Sequence, residues 1–302
     1  TRRVPEYGPN IPMTTNKYQH APHKPERVLV NYTTVRAAGL KAIWSSMVSD
    51  RKVQNISSDF SQEPGEDDNV QDCIDFLHSI DLLSRGGDHR VVTPLNDDLF
   101  PDLSFEARLV YHLRQQQPPN DHLSRIQNVA LETADRSVTL NTLLPEIKDG
   151  LDEYDFKWNS KKLEMWQSLS TQLGLVSHVD TRGIILNPCR RLLYDILDLH
   201  NRKKDSNGLY DGLSWIESNF FDVFETQTGT PRVHSAVSDV LENMESEDVL
   251  SLRGMSDATD AVTLPESVHN QNSRSVNVYE LNSRPDSPAY QYPLIRFNQV
   301  IQ

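Results

Sequence analysis

The sequence predicts a mainly α protein with short β-hairpins, in which a unit of helices closed by a hairpin occurs more than once. Sliding the chain against itself at an ungapped offset of 93 residues places Val70, Cys73, Phe76, Ile80, Leu82, Leu83, Val91 and Val92 on Leu163, Trp166, Leu169, Leu173, Leu175, Val176, Ile184 and Ile185. The first four of each set are spaced three, three and four residues apart, which is one face of a helix. The others fall in two short β-prone runs, separated by Arg85-Gly86-Gly87-Asp88-His89-Arg90 in one copy and His178-Val179-Asp180-Thr181-Arg182-Gly183 in the other. Both tracts are rich in turn residues, as hairpin connections require.

Each copy is preceded by more helical periodicity. In the first, Thr33 to Val48 reads as a helix and Ile56 to Phe60 as a weaker one. In the second, Leu103 to Gln116, His122 to Ala134 and Leu140 to Gly150 read as helices, the last closed by a glycine. A more degenerate third copy follows, with helices expected at Arg190 to Leu199 and Leu213 to Phe224. Its Val233, Val237, Val240 and Met244 are spaced four, three and four, and Val249-Leu250-Ser251 repeats Leu82-Leu83-Ser84 and Leu175-Val176-Ser177. The return strand is expected at Ser275 to Leu281, after roughly twenty inserted residues that read as an exposed loop.

The first 27 residues hold Pro5, Pro9, Pro12, Pro22 and Pro25, which exclude a helix and predict an extended arm. From Arg284 the chain carries Pro285, Pro288 and Pro293 around Tyr290-Gln291-Tyr292, then Leu294-Ile295-Arg296-Phe297, an edge strand or docking peptide. The division is therefore 1–32 arm, 33–100, 101–188 and 189–283 repeated modules, and 284–302 tail.

Helices followed by a two-stranded hairpin, in tandem over residues 33–282, resemble winged helix-turn-helix domains. The resemblance is one of fold and carries no catalytic motif. It implies either DNA readers or protein-binding modules inside larger assemblies.

Composition narrows the classes. The 302 residues include 43 acidic and 30 basic side chains, for a formal charge of −13. Residues 1–50 carry seven basic and three acidic side chains, so a basic arm leads an acidic body. Asp outnumbers Glu 27 to 16 and Arg outnumbers Lys 20 to 10, which resembles salt-adapted archaeal proteins; an ordinary acidic protein is the alternative. Apolar runs are too short to span a bilayer or serve as a signal peptide, so no membrane and a cytoplasmic location are expected. Cys73 and Cys189 cannot make a disulfide framework or a zinc site and read as reduced core residues.

Catalytic signatures are missing from the sequence: it contains no Gly-rich phosphate loop, no nucleophile elbow and no HExxH helix. His20 and His23 flank a proline without further ligands, Glu66-Asp67-Asp68 and Asp97-Asp98 read as helix-start or turn residues, and Arg202-Lys203-Lys204 as a helix-end cluster. No enzyme, cofactor or metal is expected. Trp44, Trp166 and Trp215 read as core.

DNA binding would require the third helix of a module to suit a polyanion. The first such helix opens with Glu66-Asp67-Asp68-Asn69 and would repel phosphate; the third, opening Thr230-Pro231-Arg232-Val233-His234, offers little. The second opens with Lys157-Trp158-Asn159-Ser160-Lys161-Lys162. Lys157, Asn159, Ser160, Lys161, Lys162 and Gln167, with Arg182 on the hairpin, are the candidate contacts, and Lys161, Lys162 and Gln167 are expected off the core face. The plain alternative is a solvated lysine-bearing face. The expected function is thus a non-catalytic DNA-binding accessory protein. The alternative is an adaptor that uses modules, arm and tail to bind other protein subunits and touches no nucleic acid.

Overall fold

The computed structural model describes residues 35–60, 67–86, 90–95, 103–117, 121–152, 157–179, 183–225, 230–254, 260–267 and 270–285. They are mainly helical, with a few short antiparallel strands. The arm before residue 35 and the tail beyond residue 285 lie outside the described residues.

The chain runs α1 (Ala37–Ser46), β1 (Arg51–Lys52), α2 (Val53–Phe60), α3 (Asp67–Ser79), β2 (Leu83–Arg85) and β3 (Val91–Pro94), with sheet order β1-β3-β2. It continues with α4 (Phe105–Arg114), α5 (His122–Thr133), β4 (Ser137–Thr139), α6 (Leu140–Gly150), α7 (Ser160–Leu173), β5 (Ser177–Val179) and β6 (Gly183–Ile185), with order β4-β6-β5. The last stretch has α8 (Arg190–Lys204), α9 (Leu209–Asn219), α10 (Ser235–Ser246), β7 (Leu250–Arg253), β8 (Val262–Leu264), β9 (Arg274–Val276) and β10 (Val278–Leu281). There β10 pairs with β7, and Gly208 bridges Val278 on the other side of β10. The amides of Leu209 and Tyr279 donate to the carbonyls of Asn277 and Asn207 at 2.9 and 3.0 Å. Gly208 thus stands beside β10 as β1 stands beside β3 and β4 beside β6.

One local device recurs in all three stretches. A residue one or two positions beyond the helix before each hairpin has a left-handed backbone: Asp81 (φ 61°), Gly174 (φ 76°) and Asp248 (φ 57°). The next amide, of Leu82, Leu175 or Val249, reaches back to the carbonyl of Leu77, Ser170 or Met244 at 2.9, 2.9 and 2.8 Å. This six-to-one bond closes the helix and turns the chain into the hairpin. It also fixes the spacing behind the repeat, and Val70, Cys73, Phe76 and Ile80, like Leu163, Trp166, Leu169 and Leu173, are all buried.

Some expectations need correction. Each three-stranded sheet has a first strand, β1 or β4, that apolar periodicity could not reveal, because β1 is Arg51-Lys52 and only Val138 of β4 is buried. The repeat slips by one residue on the return strand. Val92 and Ile184 are buried while Val91 and Ile185 are half-buried, so the second hairpin is one residue shorter. Helix α8 runs on to Lys204, and α9 starts at Leu209 and stops at Asn219. The expected return strand is two strands, β9 and β10, broken at Asn277. The insertion is not simply an exposed loop, because β8 and β9 pair and bury Val262, Leu264 and Val276. Gly254 lets it fold back: a Cβ there would lie 2.6 Å from the Ser275 carbonyl oxygen.

Helix α4 joins the stretches. Eight of its ten residues are buried, far more than a one-sided helix allows. Toward the first stretch, Glu106 pairs with Lys41 at 2.8 Å, the Arg108 guanidinium lies 5.7 Å from the Trp44 ring centre, and His112 Nδ1 meets the Ile80 carbonyl at 3.0 Å. Toward the last, Arg114 pairs with Asp222 at 2.6 Å and donates to the Glu217 carbonyl at 2.9 Å. The second and last stretches also meet directly, through Arg136 to Asp239 (2.6 Å) and His234 Nε2 to the Leu131 carbonyl (3.0 Å). The chain after β10 is strapped onto α8: Arg284 donates to both Asp195 oxygens at 2.9 and 3.0 Å, and Arg191 to the Pro285 carbonyl at 3.0 Å.

Under that strap, buried Tyr279 donates its hydroxyl to the Leu197 carbonyl at 3.2 Å, leaving the oxygen to accept from His200 Nδ1–H at 3.2 Å. Gly212 permits the close approach, since a Cβ would sit 3.2 Å from the Tyr279 ring and 3.1 Å from Leu197. Burial holds the His200 pKa below its ordinary 6.5.

Two outcomes follow from these features. Gly174→Ala should destabilise by about 1–2 kcal/mol in urea unfolding, because a Cβ is disfavoured at this φ, whereas Asp248→Gly should be neutral or stabilising. For His200, the unfolded chain takes up the proton first as pH falls. Its contribution is therefore intact above about pH 6.5 and is lost below that value, toward the lowered folded pKa. Urea midpoints from about pH 7.5 to about pH 5 should fall less steeply in His200→Gln than in the parent chain.

Candidate nucleic-acid interface

The start of α7 is set by Trp158 and Asn159. Trp158 is buried with its ring 6.2 Å from that of buried His122, which pins the approach to the helix on α5. Asn159 is extended (φ −148°, ψ 168°), and its Oδ1 accepts from the Lys162 amide at 3.0 Å, the usual duty of an N-cap. Further along, Trp166 is 1% exposed and donates its indole N–H to the Leu123 carbonyl at 3.2 Å, locking α7 against α5.

Of the residues singled out from the sequence, Lys157, Asn159, Ser160 and Lys161 are exposed and gather at this end. The first turn of α7 holds no acid, so the positive end of the helix dipole is uncompensated there. Among the described residues neither Lys157 nor Lys161 has an ion-pair partner. Glu164 is exposed one turn on, and Lys148 is exposed with Glu146, Asp149 and Asp152 around the end of α6, so the cationic surface is small.

Lys162 corrects the expectation. It was expected off the core face but is only 8% exposed. It lies four residues before Trp166, on the side of the helix that packs inward, where a lysine stem covers apolar surface. Gln167 is half-buried, its Nε2 has no hydrogen-bond partner among the described residues, and it does not stand free on the face. Arg182 lies outside the described residues.

Sequence reasoning passed over Gln172. It is 5% exposed, donates to Ser168 Oγ at 3.1 Å, and its Oε1 accepts from the Ala37 amide at 2.6 Å. Helix α1 has no side-chain N-cap of its own, so α7 supplies one across 135 residues of chain. A glutamine in mid-helix carries no local signal for that role.

The other two equivalent helices are less suited to a polyanion. Helix α3 opens with Asp67 and Asp68, and its Asp75 pairs with Arg85. Helix α10 has eight of twelve residues buried. Its Asp239 faces Arg136 of the preceding stretch, its Asn243 faces Arg190 at the start of α8, and Glu242 and Glu245 hold Arg274 of the inserted hairpin. Desolvation raises the Glu242 pKa, consistent with the depth of that contact.

Arg202 pairs with Asp198 at 3.1 Å in the last turn of α8, as a helix-end cation does. Cys73 and Cys189 are free thiols whose pKa burial raises to about 11, which leaves little thiolate. Cys189 is only half-buried and caps α8 by accepting from the Leu192 amide at 3.3 Å. Trp44 and Trp215 are likewise partly buried against the core. Among the described residues no three His, Cys, Asp or Glu side chains are placed to hold a metal, and no helix is long and apolar enough to cross a membrane. His20, His23, Glu66, Asp97 and Asp98 lie outside the described residues.

Comparison of the chain with protein-family models, with curated proteins and with solved structures finds no match.

The two adjacent lysines should separate by experiment. Lys161→Glu should change unfolding free energy by less than about 0.5 kcal/mol, while Lys162→Glu, which places an acid in a buried position, should cost about 2 kcal/mol or more.

Proposed function

We propose that the chain is a non-catalytic accessory protein of three tandem winged helix-turn-helix modules that contacts DNA through the first turn of α7. The fold reading rests on the recurrence of helix, strand, helix, helix and hairpin, with the first strand beside the last, and on the shared left-handed turn before each hairpin. The observation that carries the function is the exposed group Lys157, Asn159, Ser160 and Lys161 at a helix start without acid, in the one helix of the three that is neither acidic at its start nor covered. Such a group can hold phosphate oxygens through ammonium, hydroxyl and amide donors.

A second reading, a protein-binding adaptor, is favoured by the formal charge of −13 and by the closure of α10 beneath the inserted hairpin, since both disfavour wide contact with a polyanion.

Salt-titrated binding of duplex DNA distinguishes the two. Lys157→Glu with Lys161→Glu should abolish binding without moving the urea midpoint. Binding that survives this reversal would place the site elsewhere, and no binding by the parent chain at low salt would leave the adaptor.

A further inference from the structure

We propose that Asn207-Gly208 is a self-modification site, at which the Gly208 amide nitrogen closes on the Asn207 carboxamide and converts Asn207 to aspartate and isoaspartate. The pair is the one Asn-Gly step in the sequence, and the inference stands apart from the DNA reading of α7. An amide nitrogen attacks a carbonyl carbon only as it loses its proton, so the groups around the N–H decide the rate. Here the Gly208 N–H donates to Ser206 Oγ at 3.3 Å, and the Ser206 hydroxyl donates in turn to Asp211 Oδ2 at 3.3 Å. A carboxylate can only accept and an amide N–H can only donate, so the relay runs one way, from the nitrogen to Asp211. The charge left behind spreads onto the Asn207 main-chain oxygen. That oxygen already accepts from the Tyr279 amide at 3.0 Å, a donor aimed where the charge collects. Gly208 leaves room for this arrangement, since a Cβ would lie 3.2 Å from Asp211 Oδ2 and 3.6 Å from Ser206 Oγ.

Asn207 is exposed, and among the described residues its carboxamide has no hydrogen-bond partner to hold it away from the nitrogen. The proton passes through Ser206 to Asp211 as the bond from Gly208 N to Asn207 Cγ forms. The Cγ–Nδ2 bond then breaks, and Nδ2 leaves as ammonia with that proton. Water opens the resulting succinimide at either carbonyl. Opening at Cγ gives aspartate, whereas opening at the main-chain carbonyl gives isoaspartate, whose backbone runs through the former side chain and is one carbon longer. The extra carbon falls where the last stretch is closed: Gly208 bridges Val278, the Asn207 carbonyl accepts from Tyr279, and the Leu209 amide donates to Asn277. Isoaspartate therefore loosens one side of β10 and the seat of Tyr279, in a slow change that the chain itself does not reverse.

The test incubates the folded chain at neutral pH beside the same chain held unfolded in guanidinium. Peptides spanning residue 207 are followed by mass spectrometry, with isoaspartate separated from aspartate by chromatography. Conversion should be about tenfold faster, or more, in the folded chain. Ser206→Ala and Asp211→Asn should each slow the folded chain by about tenfold while leaving the unfolded rate nearly unchanged. The converted chain, once isolated, should show a lower urea midpoint, and Asn207→Gln should hold its midpoint over the same period. Folded conversion no faster than unfolded, the result of a backbone held too stiffly for ring closure, would overturn the proposal. Equal folded rates in the parent and in Ser206→Ala, with the urea midpoint unchanged, would overturn it too.

Discussion

The architecture depends on a helix that must be buried on every side. Phe105, Leu109 and Leu113 of α4 would suit an ordinary amphipathic helix, but Glu106, Arg108 and Arg114 point where such a helix meets water. Each finds a partner in another stretch of chain: Lys41 for Glu106, Trp44 for Arg108, Asp222 for Arg114. A charge taken out of water costs several kcal/mol if left alone, so the first and last stretches are held by the penalty for leaving α4 as much as by apolar contact. The arrangement is specific for the same reason, because an apolar surface tolerates sliding and a buried ion pair does not.

Much of this was legible in the sequence. The offset of 93 works because a helix, a left-handed residue and a strand start form a rigid length of chain, and Leu82-Leu83 and Leu175-Val176 are locked to their helices by the same amide-to-carbonyl bond. Helix α6 was legible to the residue. The first strands were not, because a two-residue strand such as Arg51-Lys52 shows no alternation and forms only where β3 is already present to pair with it. The inserted hairpin was missed because Val262, Leu264 and Val276 are diluted among polar residues, and their burial depends on pairing with one another and on the distant Pro231–Val233 segment that bonds to Thr263.

The candidate site was legible in part. Asn159 or Ser160 could cap by residue type, and Asn159 does; Lys161 falls on the open side of the helix by simple periodicity, while Lys157 is exposed just before it. Lys162 shows the limit of that reasoning. A helical wheel sorts residues into faces, but a lysine stem at the flank of a face packs like a short apolar chain, and burial is decided by the neighbour it meets. Gln172 marks a stricter limit, since its role exists only between segments far apart in sequence.

The cap that Gln172 lends to α1 orders events during synthesis. A ribosome delivers Ala37 long before Gln172, and until then the opening amides of α1 can turn only to water. The portion made first therefore cannot be finished first. It must wait for α7 to emerge and take shape, so the chain gains its full helical start from the middle outward and not from its leading end.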